Sequence, residues 1–175
     1  MKKTIFITGA AKRIGKEIAL CFSEMGWNII IHYNSSKNDA QVLADEINGT
    51  NPDSAITVQG NLDVKEDVEK VINEVRDAFP TIDLLINNAS TFYPTPIEDI
   101  SEEHWDKLVG SNLKGPLFLI KGLKDKLKES KGSIINITDT NLSKGVANYS
   151  IYSAAKAGLE LSLIHISEPT RQPNI

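Results

Sequence analysis

Short apolar, β-rich runs alternate strictly with amphipathic stretches along this chain, and no other feature constrains its fold so tightly. The β-rich runs cover residues 4–8, 27–33, 55–59, 82–87 and 133–138. Helical patterns fill residues 14–25, 39–47, 64–79 and 101–129, with a break expected near Gly110, and a last helix begins near Tyr149. The strand runs are continuously apolar rather than alternating, which is the mark of parallel strands covered on both faces. Parallel strands joined by helices need right-handed crossovers, so the pattern predicts an α/β fold with a doubly wound parallel sheet in three layers, the Rossmann arrangement.

A chain of 175 residues, 41% hydrophobic, is long enough for one domain with a real core. Its net charge of −4 gives no reason to expect a nucleic-acid or membrane partner. The single cysteine, Cys21, falls on what reads as the apolar face of the first helix (Ile14, Ile18, Cys21) and is expected to be a buried thiol. One cysteine and three scattered histidines exclude a disulfide scaffold or a zinc site, so no metal is expected. The opening Met-Lys-Lys leads into a strand rather than a long apolar segment, and no apolar run reaches membrane-spanning length. The expected location is the cytoplasm.

The first strand runs into "TGAAKRIG", residues 8–15. A strand-to-helix turn of this kind aims backbone N–H groups and the positive end of a helix at a phosphate. Gly9 suits the tight turn and Gly15 close packing of helix on sheet. Arg13, preceded by Lys12, stands where a dinucleotide-binding turn usually carries its middle glycine. After the second strand, "HYNSSKND" has no acid before Asp39, so no carboxylate stands where it would repel a ribose 2′-phosphate. Asn34, Ser35, Ser36 and Lys37, with Lys12 across the turn, offer donors and positive charge, which favours NADPH; His32 and Tyr33 either join that site or cap the strand.

"YSIYSAAKAGLE" places Tyr152 and Lys156 four apart on one helical face. An isolated tyrosine titrates near 10 and is a poor acid–base group at neutral pH; a neighbouring ammonium is expected to favour its phenolate. Tyr149 lies seven residues from Lys156 and is the poorer partner.

Over residues 3–160 these features resemble the short-chain dehydrogenase/reductase family: the Gly9–Gly15 turn, "NNAS" after the fourth strand, Asn112 in "SNLKG", and Tyr152 with Lys156. Three departures together resemble its pteridine reductase and dihydromonapterin reductase branch: Arg13 for glycine, "NNASTFYPTP", and Asp139 where ordinary members carry serine. The resemblance implies NADPH-dependent reduction of a small-molecule pterin. Tyr152 would donate the proton, Lys156 hold it and the nicotinamide ribose, Asp139 bond Tyr152 and help relay the proton, and Asn112 fix a water and the lysine. Phe92 would stack on the pterin, with Ser90 and Arg13 on its polar edge. The cofactor would further touch Ile14, Asn61, Leu62, Asn88 and Ala89. A homotetramer is implied for the full-length protein. The alternatives are a generic carbonyl or 3-ketoacyl reductase and a non-catalytic NADP-binding protein.

Residues 161–171, "LSLIHISEPTR", break the helical pattern and match the translation of a common sequencing-library adapter. The domain is therefore expected to occupy residues 1–160, with 161–175 a non-native tail and the family's final strands lacking. This polypeptide by itself is then expected to be poorly soluble and inactive.

Overall fold

Residues 4–7 (TIFI) bury every side chain, and the alternation of those side chains sets the layers of the fold. In the computed structural model, which describes residues 2–142 and 144–163, five parallel strands form one sheet in the order β3-β2-β1-β4-β5. They are β1 (Thr4–Ile7), β2 (Asn28–Tyr33), β3 (Ala55–Gln59), β4 (Leu84–Asn87) and β5 (Ser133–Asn136). The helices are α1 (Arg13–Glu24), α2 (Lys37–Thr50), α3 (Lys65–Ala78), α4 (Glu102–Val109), α5 (Gly115–Ser130) and α6 (Ser150–Ser162).

Ile5, Ile7, Ile29 and Ile31 point to one face and form a core with Ala19 of α1 and Leu43 and Ile47 of α2. Phe6, Ile30 and Leu85 point to the other and pack on Val71 and Val75 of α3 and Leu119 and Leu123 of α5. Successive residues of one strand thus supply two different cores, which is why the runs read as continuously apolar. The chain winds outward from β1 to β3, then returns to lay β4 on the other side of β1 (Ile5 opposite Leu84, Ile7 opposite Ile86). That reversal opens a crevice at the carboxyl ends of β1 and β4.

Three local expectations change. Cys21 is exposed, as is Ile14, because the buried stripe of α1 is Gly15, Ala19 and Ser23. Small residues face the sheet so that the helix can approach it closely, and the larger apolar side chains flank that stripe. Near Gly110 the helix does not break; a π-helical turn, Gly110–Lys114, joins α4 to α5. α6 continues to Ser162, two residues into the stretch expected to end the helix, while residues 164–175 of the expected tail lie outside the described residues. Among the described residues no helix is long and apolar enough to cross a membrane.

Candidate active site

The turn after β1 is held from below by the loop after β4. Thr8 Oγ1 accepts hydrogen bonds from the backbone N–H groups of Asn88 (2.9 Å) and Ala89 (3.0 Å). Asn88 Nδ2 in turn donates to the carbonyls of Thr8 (2.9 Å) and Gly9 (3.1 Å). Gly9 has φ +63°, and a Cβ on Gly15 would lie 2.5 Å from Gly9 O, so both glycines are required by geometry. Arg13 also sits in the left-handed region, at φ +52°, the conformation a glycine would take there at no cost. Its guanidinium has no hydrogen bond or ion pair with any described residue.

His32 lies beneath this turn and is buried. Its Nδ1 accepts from Gly9 N–H at 3.1 Å and its Nε2 donates to Gly60 O at 3.0 Å, so the ring ties the turn to the loop after β3. Both nitrogens are therefore committed to the backbone, and burial pulls the pKa of His32 down to about 4.

Above the turn is a cleft of about 540 Å³. It gathers Gly9, Lys12, Arg13, Ile14 and Gly15 from the turn, His32 from β2 and Asn34 just after it, and Asn61 and Leu62 from the loop after β3. Asn88, Ala89, Ser90, Tyr152 and Lys156 close its other end. Ser35 and Ser36 line a separate, smaller cavity, while Tyr33, Phe92, Asn112 and Asp139 line neither. Asp63, Thr91, Ser111, Ile137 and Thr138 also line the cleft without having been singled out by sequence. Asp63 has one buried carboxylate oxygen without a partner, and burial raises its pKa. Its only sequence signal was proximity to Asn61, whose Oδ1 accepts from Asp63 N–H at 3.1 Å.

At the closed end Tyr152 Oη donates to Asp139 Oδ2 at 2.8 Å. Burial, together with the hydrogen bond and charge of Asp139, pushes the Tyr152 pKa up to about 12; Ser90 acts in the opposite sense. This reverses the expectation that Lys156 would favour the phenolate: the nearest charge is the carboxylate. The N–H groups of Asn141, first, and the Tyr152 hydroxyl hold Asp139 below the usual carboxylate range, so it stays ionised. Lys156 is buried, its pKa is lowered to about 8 by that burial, and its Nζ donates to Ile137 O at 2.9 Å. Asn112, presented by the π-helical turn, donates to Thr91 O (2.8 Å) and Leu108 O (2.9 Å) and accepts from Ser90 Oγ at 2.8 Å. It thus reaches the tyrosine through Ser90, not through the lysine. Phe92 is 55% exposed, stacked on Tyr149 at 4.4 Å and edge-on to Tyr152 at 4.8 Å.

The cleft fits a dinucleotide on its own terms: a glycine cradle that a Cβ would fill, a guanidinium without a partner among the described residues, and a buried ammonium with donors to spare. The family described as short chain dehydrogenase matches residues 3–175. A 3-oxoacyl-acyl-carrier-protein reductase of Staphylococcus epidermidis is 32% identical over 91% of this chain and 65% of its own length. Pteridine reductase 1 of Leishmania tarentolae is 32% identical over 88% of this chain and 66% of its own. A short-chain type dehydrogenase/reductase of Picea abies is 29% identical over 99% of the chain. The chain thus spans about 65% of the length of the first of these relatives.

Proposed function

The chain belongs to the short-chain dehydrogenase family, and on that premise we propose that it is an NADPH-dependent reductase that carries a dihydropterin to its tetrahydro form. The reading is carried by Asp139, whose Oδ2 accepts from Tyr152 Oη at 2.8 Å at the position where ordinary relatives place a serine. When bound, the nicotinamide cofactor supplies the hydride. Gly9, Gly15 and Arg13 would hold its phosphates, and Lys156 would hold its ribose.

Hydride arriving at a C=N bond leaves negative charge on nitrogen, which needs a proton. Tyr152, with its pKa near 12, keeps its proton at neutral pH and can turn its hydroxyl from Asp139 to that nitrogen. A nitrogen anion is far more basic than a phenolate, so the transfer runs downhill. The phenolate left behind lies beside an ionised Asp139, and that like charge favours its prompt reprotonation. The face of Phe92 not stacked on Tyr149 offers a flat heterocycle a stacking surface, worth about 0.5–1.5 kcal/mol beyond buried area.

The staphylococcal relatives support a second reading, reduction of a 3-oxoacyl thioester, because their identity to this chain matches that of the pteridine reductase. NADPH oxidation with a dihydropterin, set against a 3-oxoacyl thioester, decides between them. No pterin turnover, or turnover only with NADH, would overturn the proposal. Asp139→Ser is expected to cut pterin turnover by roughly a hundredfold, in the range of a lost acid–base contribution; unchanged turnover would remove Asp139 from the mechanism. The intact protein is proposed to act in the cytoplasm as a homotetramer built on residues 111–129 and 149–160.

A further inference from the structure

The smaller cavity, about 350 Å³, is lined by Lys12, Ser35, Ser36, Lys37, Asn38 and Asp39. It meets the main cleft at Lys12, which lines both. Across its mouth Lys12 Nζ and the Asp39 carboxylate pair at 3.0 Å, both side chains about half exposed (56% and 47%). The side chains of Ser35, Ser36, Lys37 and Asn38 have no hydrogen bond or ion pair with any described residue. The cavity therefore presents hydroxyl, amide and ammonium donors, yet one of its two cations is already neutralised from within.

We propose that Asp39 is a specificity-determining counter-ion, which holds Lys12 while the cavity is free and surrenders it to the 2′-phosphate of a bound nucleotide. The inference rests on the NADPH reading and deepens it. Asp39 has a second reason to be acidic, since it lies in the first turn of α2, where a negative charge complements the helix dipole. That benefit needs no partner, and it leaves the 3.0 Å approach to a lysine from another element unexplained. An exposed ion pair is worth little, so the exchange costs little, and a phosphate with nearly two charges competes well against one carboxylate. Asp39 nevertheless stays close to the incoming dianion and repels it, so a carboxylate does stand beside this cavity, contrary to the expectation from "HYNSSKND". The residue thus acts as a brake on affinity for 2′-phosphorylated nucleotides alone.

The test is direct titration of the protein with adenosine 2′,5′-bisphosphate and with 5′-AMP by calorimetry, for the wild type, Asp39→Asn, Lys12→Met and the double variant. Asp39→Asn is expected to tighten the bisphosphate about three- to tenfold, the loss of one nearby like charge, and to leave 5′-AMP unchanged. In the Lys12→Met background the gain should shrink but persist, because competition for Lys12 is lost while the direct repulsion by Asp39 remains. Asp39→Ser, which suits the start of a helix, guards against a folding defect and should behave as Asp39→Asn does. Unchanged or weakened bisphosphate binding in both Asp39 variants, or equal tightening of both nucleotides, would overturn the proposal. A wild type that does not prefer the bisphosphate, with preference appearing on Asp39→Asn, would support the counter-ion role while overturning the NADPH reading.

Discussion

Arg13 is a residue whose type is legible in the sequence and whose backbone form is not. The sequence marks it as a cation in a glycine's place; that its backbone takes the glycine's left-handed conformation, φ +52°, depends on the turn built around it. A non-glycine residue held in that region costs about 1–3 kcal/mol and persists where the surroundings impose it. Its guanidinium has no hydrogen bond or ion pair with any described residue, so nothing the side chain touches among them offsets the strain. Arg13→Gly is therefore expected to raise the melting temperature by roughly 2–4 °C, the shift of about 1 kcal/mol in a domain this size, while weakening NADPH at least tenfold. A lower melting temperature would mean that Arg13 supports the fold. His32 carries the residue-scale pH dependence. Its folded pKa of about 4 lies below the 6.5 of an unperturbed imidazole, so the fold favours the neutral ring. Stability from this group is whole above pH 6.5 and is lost as pH falls toward 4, by about 3 kcal/mol at 1.36 kcal/mol per unit. Urea unfolding of wild type and His32→Asn between pH 7.5 and 4 should show that excess slope in the wild type alone. Parallel pH profiles would remove His32 as its source. Neither the tautomer nor the two backbone partners could be read from "IIIHYN", because Gly9 and Gly60 reach the ring only through the fold.

Elements were more legible than the way they turn. Strand and helix order follows from apolar runs and periodicity, but the rotation of α1 does not, since Ile14, Ile18 and Cys21 make as regular a stripe as the buried Gly15, Ala19 and Ser23. Helix–sheet distance decides between them, and that distance is set by the close approach at Gly15. The π-helical turn at Gly110–Lys114 was hidden for a similar reason. Gly110 reads as a helix breaker, yet its lack of a side chain serves close contact: a Cβ there would lie 2.9 Å from Asp63 Cα. Backbone cannot yield as a side-chain tip can. Gly110→Ala is expected to cost about 1–3 kcal/mol, the range of an overpacked site, and to displace Asn112 with the turn. Gly49→Ala in α2 meets nothing within 4 Å and should be neutral or stabilising by up to about 1 kcal/mol. If denaturant melts show equal effects for the two alanines, the close approach at Gly110 is not what shapes the turn.

For the whole molecule the two edges of the sheet are unlike. β3 keeps Ala55 and Val58 buried, whereas in β5 Ser133 and Ile135 are exposed, Ile135 by 44%. Ile134 packs into the core shared with α3 and α5, so Ile135 lies on the opposite face, where none of the described helices covers it. No described strand pairs with the outer side of β5. A bare strand edge beside an exposed β-branched side chain is a template for pairing with a second chain. The 175-residue chain is therefore expected to self-associate at micromolar concentration through β5. Ile135→Lys places a charge on that edge and should shift the sedimentation profile toward monomer, with stability changed by no more than about 0.5 kcal/mol, as for a surface position. Thr57→Lys, on the opposite edge in β3, should leave association as it was. Association that survives Ile135→Lys, or that falls equally with Thr57→Lys, would show that β5 is not the contact.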